Sequence, residues 1–376
     1  MTILRVVVLG VMGCVVGCLA PGAVDDHPGE GAAAQATVGN DCDMSGCGNS
    51  NSPEIDHRGM HDLDLTGMVA NDNGFRIASY SKGGIQYRPV VDKATLTGRD
   101  LKTGAIVLQG GGMGPFSLIG SRFVVVNPKY HTQYVIRIDD VGVVEYWAKP
   151  GGHVMTTPTY LVNWTVSGNI EQQDGVTWKN ICRSPPADNI DTFGMNRFHV
   201  VLFEGDRISA PNKNVYAVDN RWFNIGCASH ALAKQHLFGH TQGAMDTSPE
   251  FTTTLAERTA HLKMLAADYC GKGVALTMAG EPLNWRDHRG WFPYSATMAM
   301  PPYTPALEAR WSADGATCLN QPRVATHPPT AESLMFFPDI WAAIKDACID
   351  AGKYPLPKCP PSANDFFGFH ILSANP

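Results

Sequence analysis

From His61 to about residue 225 the apolar side chains return mostly at every second position. That period marks strands with one face buried. Tyr134, Ile136 and Ile138 alternate with Gln133, Val135 and Arg137, and the pattern resumes from Val143 to Trp147 after a break at Gly142. Ile106–Leu108, Tyr160–Val166, Phe198–Phe203 and Val215–Ile225 read as further strands, punctuated by turns such as Asp72-Asn73-Gly74 and Lys82-Gly83-Gly84. No helical period intervenes, so the strands are expected to pair antiparallel in a sandwich or barrel. The 38 Gly and 26 Pro suit such a turn-rich chain.

Helical periodicity begins only after Cys227. Ser229 can cap a segment running to about Gly239, with Leu232, His236 and His240 on one side. Thr254-Leu255-Ala256-Glu257 has the form of a capping box. Leu255, Leu262, Leu265 and Tyr269 follow as an apolar stripe, with Gly271 as the natural stop. Residues 336–351 suggest a third helix, with Phe337, Ile340, Trp341 and Ile344 inward. The expected fold class is therefore α+β: a β-rich antiparallel sandwich or barrel-like body over residues 59–226, then a small disulfide-stapled helical region over 227–376. The two are expected to form one continuous domain.

The N-terminus says where such a chain resides. Arg5 precedes an apolar run over residues 6–19, too short for a stable transmembrane helix and of the form of a secretory signal. Val15-Val16-Gly17-Cys18 has the pattern of a bacterial lipobox, in which Cys18 takes the lipid and becomes the first residue. Val11-Met12-Gly13-Cys14 fits the same pattern, and an ordinary secreted protein would be cut near Ala20 or Ala23. The preferred reading is a signal over residues 1–17 and a flexible tether over 18–58, rich in Gly, Ala, Asp, Asn and Ser. It implies an exported outer-membrane or cell-surface lipoprotein that touches the membrane through its lipid alone, with a secreted protein as the alternative.

Cysteine parity favours Cys18. Of ten cysteines, losing Cys14 with the signal and committing Cys18 to lipid leaves eight: Cys42, Cys47, Cys182, Cys227, Cys270, Cys318, Cys348 and Cys359. In an oxidising compartment these read as disulfides, although eight cysteines allow 105 pairings. Cys42 and Cys47 are expected to close a local loop, because a zinc site would need a second ligand pair.

Chemistry is harder to find. With 35 acidic and 29 basic side chains the net charge is -6, against the basic footprint that nucleic-acid binding requires. The 44% hydrophobic content and 17% charge exclude wholesale disorder. Glu204 and Asp206, two apart at a strand end, could serve as acid and base on a sugar, yet such residues commonly accept turn or Arg hydrogen bonds. His236 and His240, four apart, could face one metal ion, with His230 or His261 as a third ligand, but Leu237 stands where a zincin carries its Glu. No metal or other cofactor is expected. Gly110–Gly114 lacks the Lys-Ser/Thr of a phosphate loop, and no Gly-x-Ser-x-Gly elbow occurs. Asp268, in the last helical turn, opposes the helix dipole and calls for compensation by Lys263, an Arg from the sheet, or N–H groups of the next loop. It is also the last of the catalytic-carboxylate candidates.

The run Ala267-Asp268-Tyr269-Cys270-Gly271 at the end of a helix resembles the signature of the ADYC-domain family. The likeness extends to Phe203–Arg207, Trp222–Ala228, Trp285–Gly290, Glu308–Trp311, Gly315–Cys318 and the segment Asn51–Asp56. These are exported bacterial proteins, often lipoproteins, without an established reaction. Many relatives carry an extra Cys in each of the two helices, where this chain reads Lys234-Gln235-His236 and His261-Leu262-Lys263. The resemblance thus implies helices packed side by side, with Cys227–Cys270 as the first disulfide expected and Cys348–Cys359 as the second. The role expected is a non-catalytic envelope or surface binding module with an unidentified protein or glycan partner; an extracytoplasmic hydrolase of peptide or glycan is the alternative.

Overall fold

The computed structural model describes residues 52–112, 114–148, 154–169, 177–183, 194–209, 213–217, 221–228, 230–242, 252–277, 283–288, 290–292, 306–325, 339–360 and 371–375. The signal, Cys14, Cys18, Cys42, Cys47, Ser229 and Phe337 lie outside the described residues.

A short ribbon, β1 (Glu54–Ile55) and β2 (Arg58–Gly59), opens the fold inside the stretch expected to be tether. Ile55 is buried and Pro53 bridges Cys182, so this segment is held by the body. The main sheet is built from β3 (Asp62–Asp64), β4 (Arg76–Lys82), β5 (Ile85–Asp92), β6 (Thr95–Asp100), β7 (Ile106–Leu108), β8 (Arg122–Asn127), β9 (Thr132–Glu145), β10 (Thr156–Val166), β11 (Lys179–Asn180) and β12 (His199–Glu204). After the ribbon β13 (Asp206–Ser209) with β14 (Asn214–Ala217), it is completed by β15 (Trp222–Cys227). Strand order is β3-β15-β12-β10-β9-β8-β4-β5-β6-β7, with β11 on β10, and every pair is antiparallel.

The sheet curls back on itself. The β5–β6 turn reaches β10, where the Tyr160 hydroxyl accepts the Leu96 N–H at 2.9 Å, while the Lys93 N–H is donated to Glu204 at the end of β12. One core fills the curl: Tyr80, Phe123, Ile136 and Trp164 meet Val91, Leu96, Val200, Leu202 and Ile225. This is the sandwich or barrel-like body expected from the period-two pattern.

Beyond it the chain departs from the expectation of helices and loops alone. Three helices, α1 (Ala231–Leu237), α2 (Leu255–Ala266) and α3 (Ile340–Asp350), accompany five strands. These are β16 (Asn284–Asp287), β17 (Gly290–Phe292), β18 (Ala306–Ser312), β19 (Gly315–Leu319) and β20 (Ile371–Asn375), ordered β17-β16-β20-β18-β19. β18 reads Ala-Leu-Glu-Ala-Arg-Trp-Ser, an alternating segment made mostly of helix-forming residues, and Glu308 and Arg310 are buried like their apolar neighbours. A second core forms here, and β12 is shared: Val200 and Leu202 face the first core, Val201 and Phe203 the second. A strand buried on both faces explains the unbroken apolar run Val200–Phe203.

Three local expectations are revised. Val215–Ile225 is two strands, β14 and β15, which serve different ribbons. The capping box at Thr254 and Glu257 is present, but α2 stops at Ala267 in the left-handed region (φ 51°), four residues before Gly271. Trp341 points outward on α3, while Ile340 and Ile344 are buried.

The disulfides are Cys182–Cys227, Cys270–Cys348 and Cys318–Cys359. Both pairings implied by the resemblance are therefore corrected. Cys227 and Cys270 bracket the helices in sequence, yet Cys227 faces the first core and Cys270 the second. Cys348 is turned into that second core beside Cys270, which leaves Cys359 to Cys318 on β19. The helices do pack side by side, joined by the Gln235 amide donating to the Arg258 carbonyl at 2.9 Å. Peptide mapping without reduction is expected to recover these three pairs, and replacing Cys270 and Cys348 together by Ser is expected to cost about 2–4 kcal/mol in urea unfolding.

Candidate functional site

The densest concentration of buried charge lies where α2 ends against the five-stranded sheet. Ala267 adopts the left-handed conformation, and the Asp268 N–H reaches back to the Lys263 carbonyl at 2.9 Å, closing the helix in the manner of a Schellman turn. Glycine usually takes this position; here the Ala267 methyl is fully buried in the second core, which offsets a left-handed cost of about 1–2 kcal/mol. Asp268 then accepts the Lys263 ammonium at 3.3 Å and the N–H groups of Lys272 and Gly273 at 3.0 and 2.8 Å. Two of the three compensations expected for a carboxylate at a helix C-terminus are thus found together.

Tyr269 carries the junction inward. Its hydroxyl donates to Glu308 on β18 at 2.6 Å and accepts the Arg323 N–H at 3.3 Å. The Arg323 guanidinium donates to the same Glu308 oxygen at 3.0 Å and to the Met264 carbonyl at 2.8 Å, so it also satisfies the end of α2. Burial, reinforced by the Glu308 charge, holds the Tyr269 hydroxyl well above its ordinary pKa. The ring stacks on Trp311 at 5.2 Å, and the Tyr269 carbonyl accepts the Ala316 N–H. Cys270 is bonded to Cys348 of α3. At Gly271 (φ 73°) a Cβ would stand 1.9 Å from the Asp314 carbonyl oxygen, so only glycine lets the β18–β19 turn approach. The run closes α2 through Ala267 and Asp268 and ties it to the sheet and to α3 through Tyr269, Cys270 and Gly271.

A second concentration involves the histidines. His236 Nε2 meets the Tyr146 and Thr157 hydroxyls at 3.1 and 3.0 Å, Nδ1 meets Thr241 at 2.8 Å, and the ring stacks on Phe203. Burial pushes its pKa down to about 3. His240 lies past the end of α1, so helical spacing does not align it with His236. Its Nε2 is 3.0 Å from Asp287, and its ring lies flat on His261 at 4.0 Å with Trp285 against the edge. His230 caps α1 by accepting the Leu232 N–H. His240 and His261 are therefore brought together, but face to face rather than around an ion. Among the described residues no group of three or more His, Cys, Asp or Glu side chains stands so as to hold a metal.

Glu204 and Asp206 are separated by the structure. Gly205 (φ 95°) breaks the strand between them. Glu204 turns to the Lys93 N–H, and Asp206 is gripped by Arg258 through Nε and Nη2 at 2.6 and 2.9 Å. Burial pushes both carboxyls above their ordinary range, opposed at Asp206 by the guanidinium. The His240–Asp287 pair has the form of a base and its orienting carboxylate, but both side chains are fully buried. Asp287 and Glu308 fall inside stretches that carry the family resemblance but receive no role from the sequence, and Arg323 in its turn gives no signal at all.

The arrangement defines a disulfide-framed α+β scaffold whose signature residues form a joint between a helix, a sheet and a second helix. A family model for the ADYC domain matches residues 116–325, more than half of the chain and reaching from the curled sheet through that joint. The chain belongs to the ADYC-domain family. Neither the curated proteins nor the solved structures contain a match.

Two outcomes test the joint. Lys263→Met, which strands Asp268 in a dry interior, is expected to cost about 3–5 kcal/mol in urea unfolding. Tyr269→Phe removes one hydroxyl and is expected to cost about 1–3 kcal/mol. For His236, the folded pKa near 3 lies below the unfolded value near 6.5, so its stabilising contribution is complete above about pH 6.5 and is lost as pH falls toward 3. Thermal melts are expected to begin dropping near pH 6.5 and to keep dropping toward pH 3, less steeply in His236→Gln.

Proposed function

We propose that this ADYC-domain protein is a lipid-anchored extracytoplasmic binding module, held to the envelope through Cys18 and presenting its β-rich body on a tether. Residues 1–17 serve as the export signal, and the outer membrane or cell surface is the destination. The observation that carries the non-catalytic reading is the commitment of the acid–base candidates to internal partners. Asp206 is engaged by Arg258, Asp268 by Lys263 and two N–H groups, His240 by Asp287 and His261, and Glu204 by the Lys93 N–H. Three disulfides among the described residues support an oxidising compartment. The competing reading, a hydrolase, draws on the buried His240–Asp287 pair and on the more exposed His288–Glu257 pair, 2.7 Å apart.

Mass spectrometry of protein taken from its native envelope without reduction tests the proposal. A diacylglyceryl-modified Cys18 peptide is expected, and Cys18→Ser is expected to shift the protein from the membrane to the soluble fraction. A mature N-terminus beyond Cys18 without lipid would sink the anchor, and free thiols at Cys182 and Cys227 would sink the oxidising compartment.

A further inference from the structure

One row of the main sheet carries like charges side by side. Ser81 on β4, Arg122 on β8, Arg137 on β9, Asn163 on β10 and Asn180 on β11 are successive register partners. Directly opposed residues share a face. The neighbouring row, Tyr80, Phe123, Ile136 and Trp164, lines the first core, so the Ser81–Asn180 row faces away from it. Arg122 and Arg137 thus stand directly opposite each other, a pairing that destabilises a sheet unless anions offset it.

Only one of the two is offset within the chain. Arg137 is paired to Asp139 through Nε and Nη2, stacks over Trp178 at 3.8 Å, and Asp139 is steadied by the Asn163 amide. The Arg122 side chain has no hydrogen bond or ion pair among the described residues. Arg76, exposed on the same face and opposite Val126, has none either. Two uncompensated guanidiniums on one sheet face are notable in a chain of net charge -6. Strand geometry sets Arg76 about 14 Å from Arg122, four residues along and one strand across. That separation suits charges repeating along one polymer rather than a single small anion. The amides of Asn163 and Asn180 are spent on internal hydrogen bonds to Asp139, Val162, Phe198 and each other, and the half-buried Trp178 carries the Arg137 guanidinium, so Ser81, Arg122 and Arg76 are the side chains this face offers.

We propose that the outward face of β4 and β8, which carries Arg76 and Arg122, docks an anionic polysaccharide bearing uronate carboxylates. The proposal rests on the binding-module reading above and names its partner class. Guanidinium forks match carboxylates in planar geometry. Two free cations fall short of the basic stripe that a nucleic acid would need.

Full-length protein in detergent is tested for retention on immobilised polygalacturonate, with neutral dextran, anionic phospholipid vesicles and single-stranded DNA alongside. Retention on polygalacturonate alone is expected, weakening as salt rises. Arg76→Gln and Arg122→Gln are each expected to weaken it about threefold and the double variant about tenfold, with no loss of thermal stability, because neither side chain is bonded within the fold and removing Arg122 only relieves its repulsion with Arg137. Lys345→Gln, on the exposed side of α3, is expected to leave retention unaltered. Equal retention on dextran, an unaffected double variant, tighter binding to vesicles or DNA, or no binding at all would each overturn the inference. Lipid content and release of reducing ends are read on the same preparation. A lipidated, non-cleaving protein that ignores polygalacturonate defeats this inference alone. Missing lipid or a cleaved polymer defeats the underlying reading.

Discussion

A charge removed from water has to be matched by another, and the C-terminal end of α2 is where that constraint shapes this protein most strongly. Lys263, Asp268, Glu308 and Arg323 are almost fully buried. Such pairs contribute little net stability, because desolvation cancels most of the attraction, but breaking one is costly. They therefore act as position markers. Arg323 can satisfy both Glu308 and the Met264 carbonyl only when the turn after β19 lies against the end of α2. Asp268 can be neutralised only when the loop after Gly271 folds back over Lys263. The four signature residues lock one geometry: Ala267 ends the helix, Asp268 folds the loop, Tyr269 reaches the sheet and Cys270 ties α3.

The shared strand β12 extends that geometry into the rest of the body. Its alternate side chains enter two cores, so the curled sheet and the helical half cannot move apart without opening both. Each disulfide lies within one half: Cys182–Cys227 staples the edge of the curled sheet, and the other two staple the segment that follows α2. Continuity between the halves depends on apolar burial around Phe203, Val201 and Leu237 rather than on covalent ties. The family match crosses the same boundary, as a joint made of both halves requires.

Membership in the family consequently speaks to architecture. A motif in which every side chain is spent on holding elements together defines a scaffold, and activity has to be sought in surfaces the scaffold presents. Here the interior polar groups are turned toward one another, whereas the outward face of the sheet offers guanidiniums with no internal partner.

The strand pattern of the body, the capping box at Thr254 and the compensation of Asp268 were all legible in the chain, because each follows from spacing over a few residues. So was the resemblance carried by Ala267–Gly271. Helix length was misjudged where Ala267 took a left-handed conformation that glycine usually takes, an exchange justified only by a buried methyl. In β18 Leu307, Ala309 and Trp311 do alternate with Glu308, Arg310 and Ser312, but Ala, Leu, Glu and Arg are also strong helix formers, and Glu308 and Arg310 are tolerable inside only through partners distant in sequence. Cysteine pairing, the separation of Glu204 from Asp206 and the stacking of His240 on His261 belong to the tertiary structure alone. Local spacing determines which elements form and which faces they bury; which buried groups meet depends on long-range packing, where partners are chosen by the need to leave no charge unmatched.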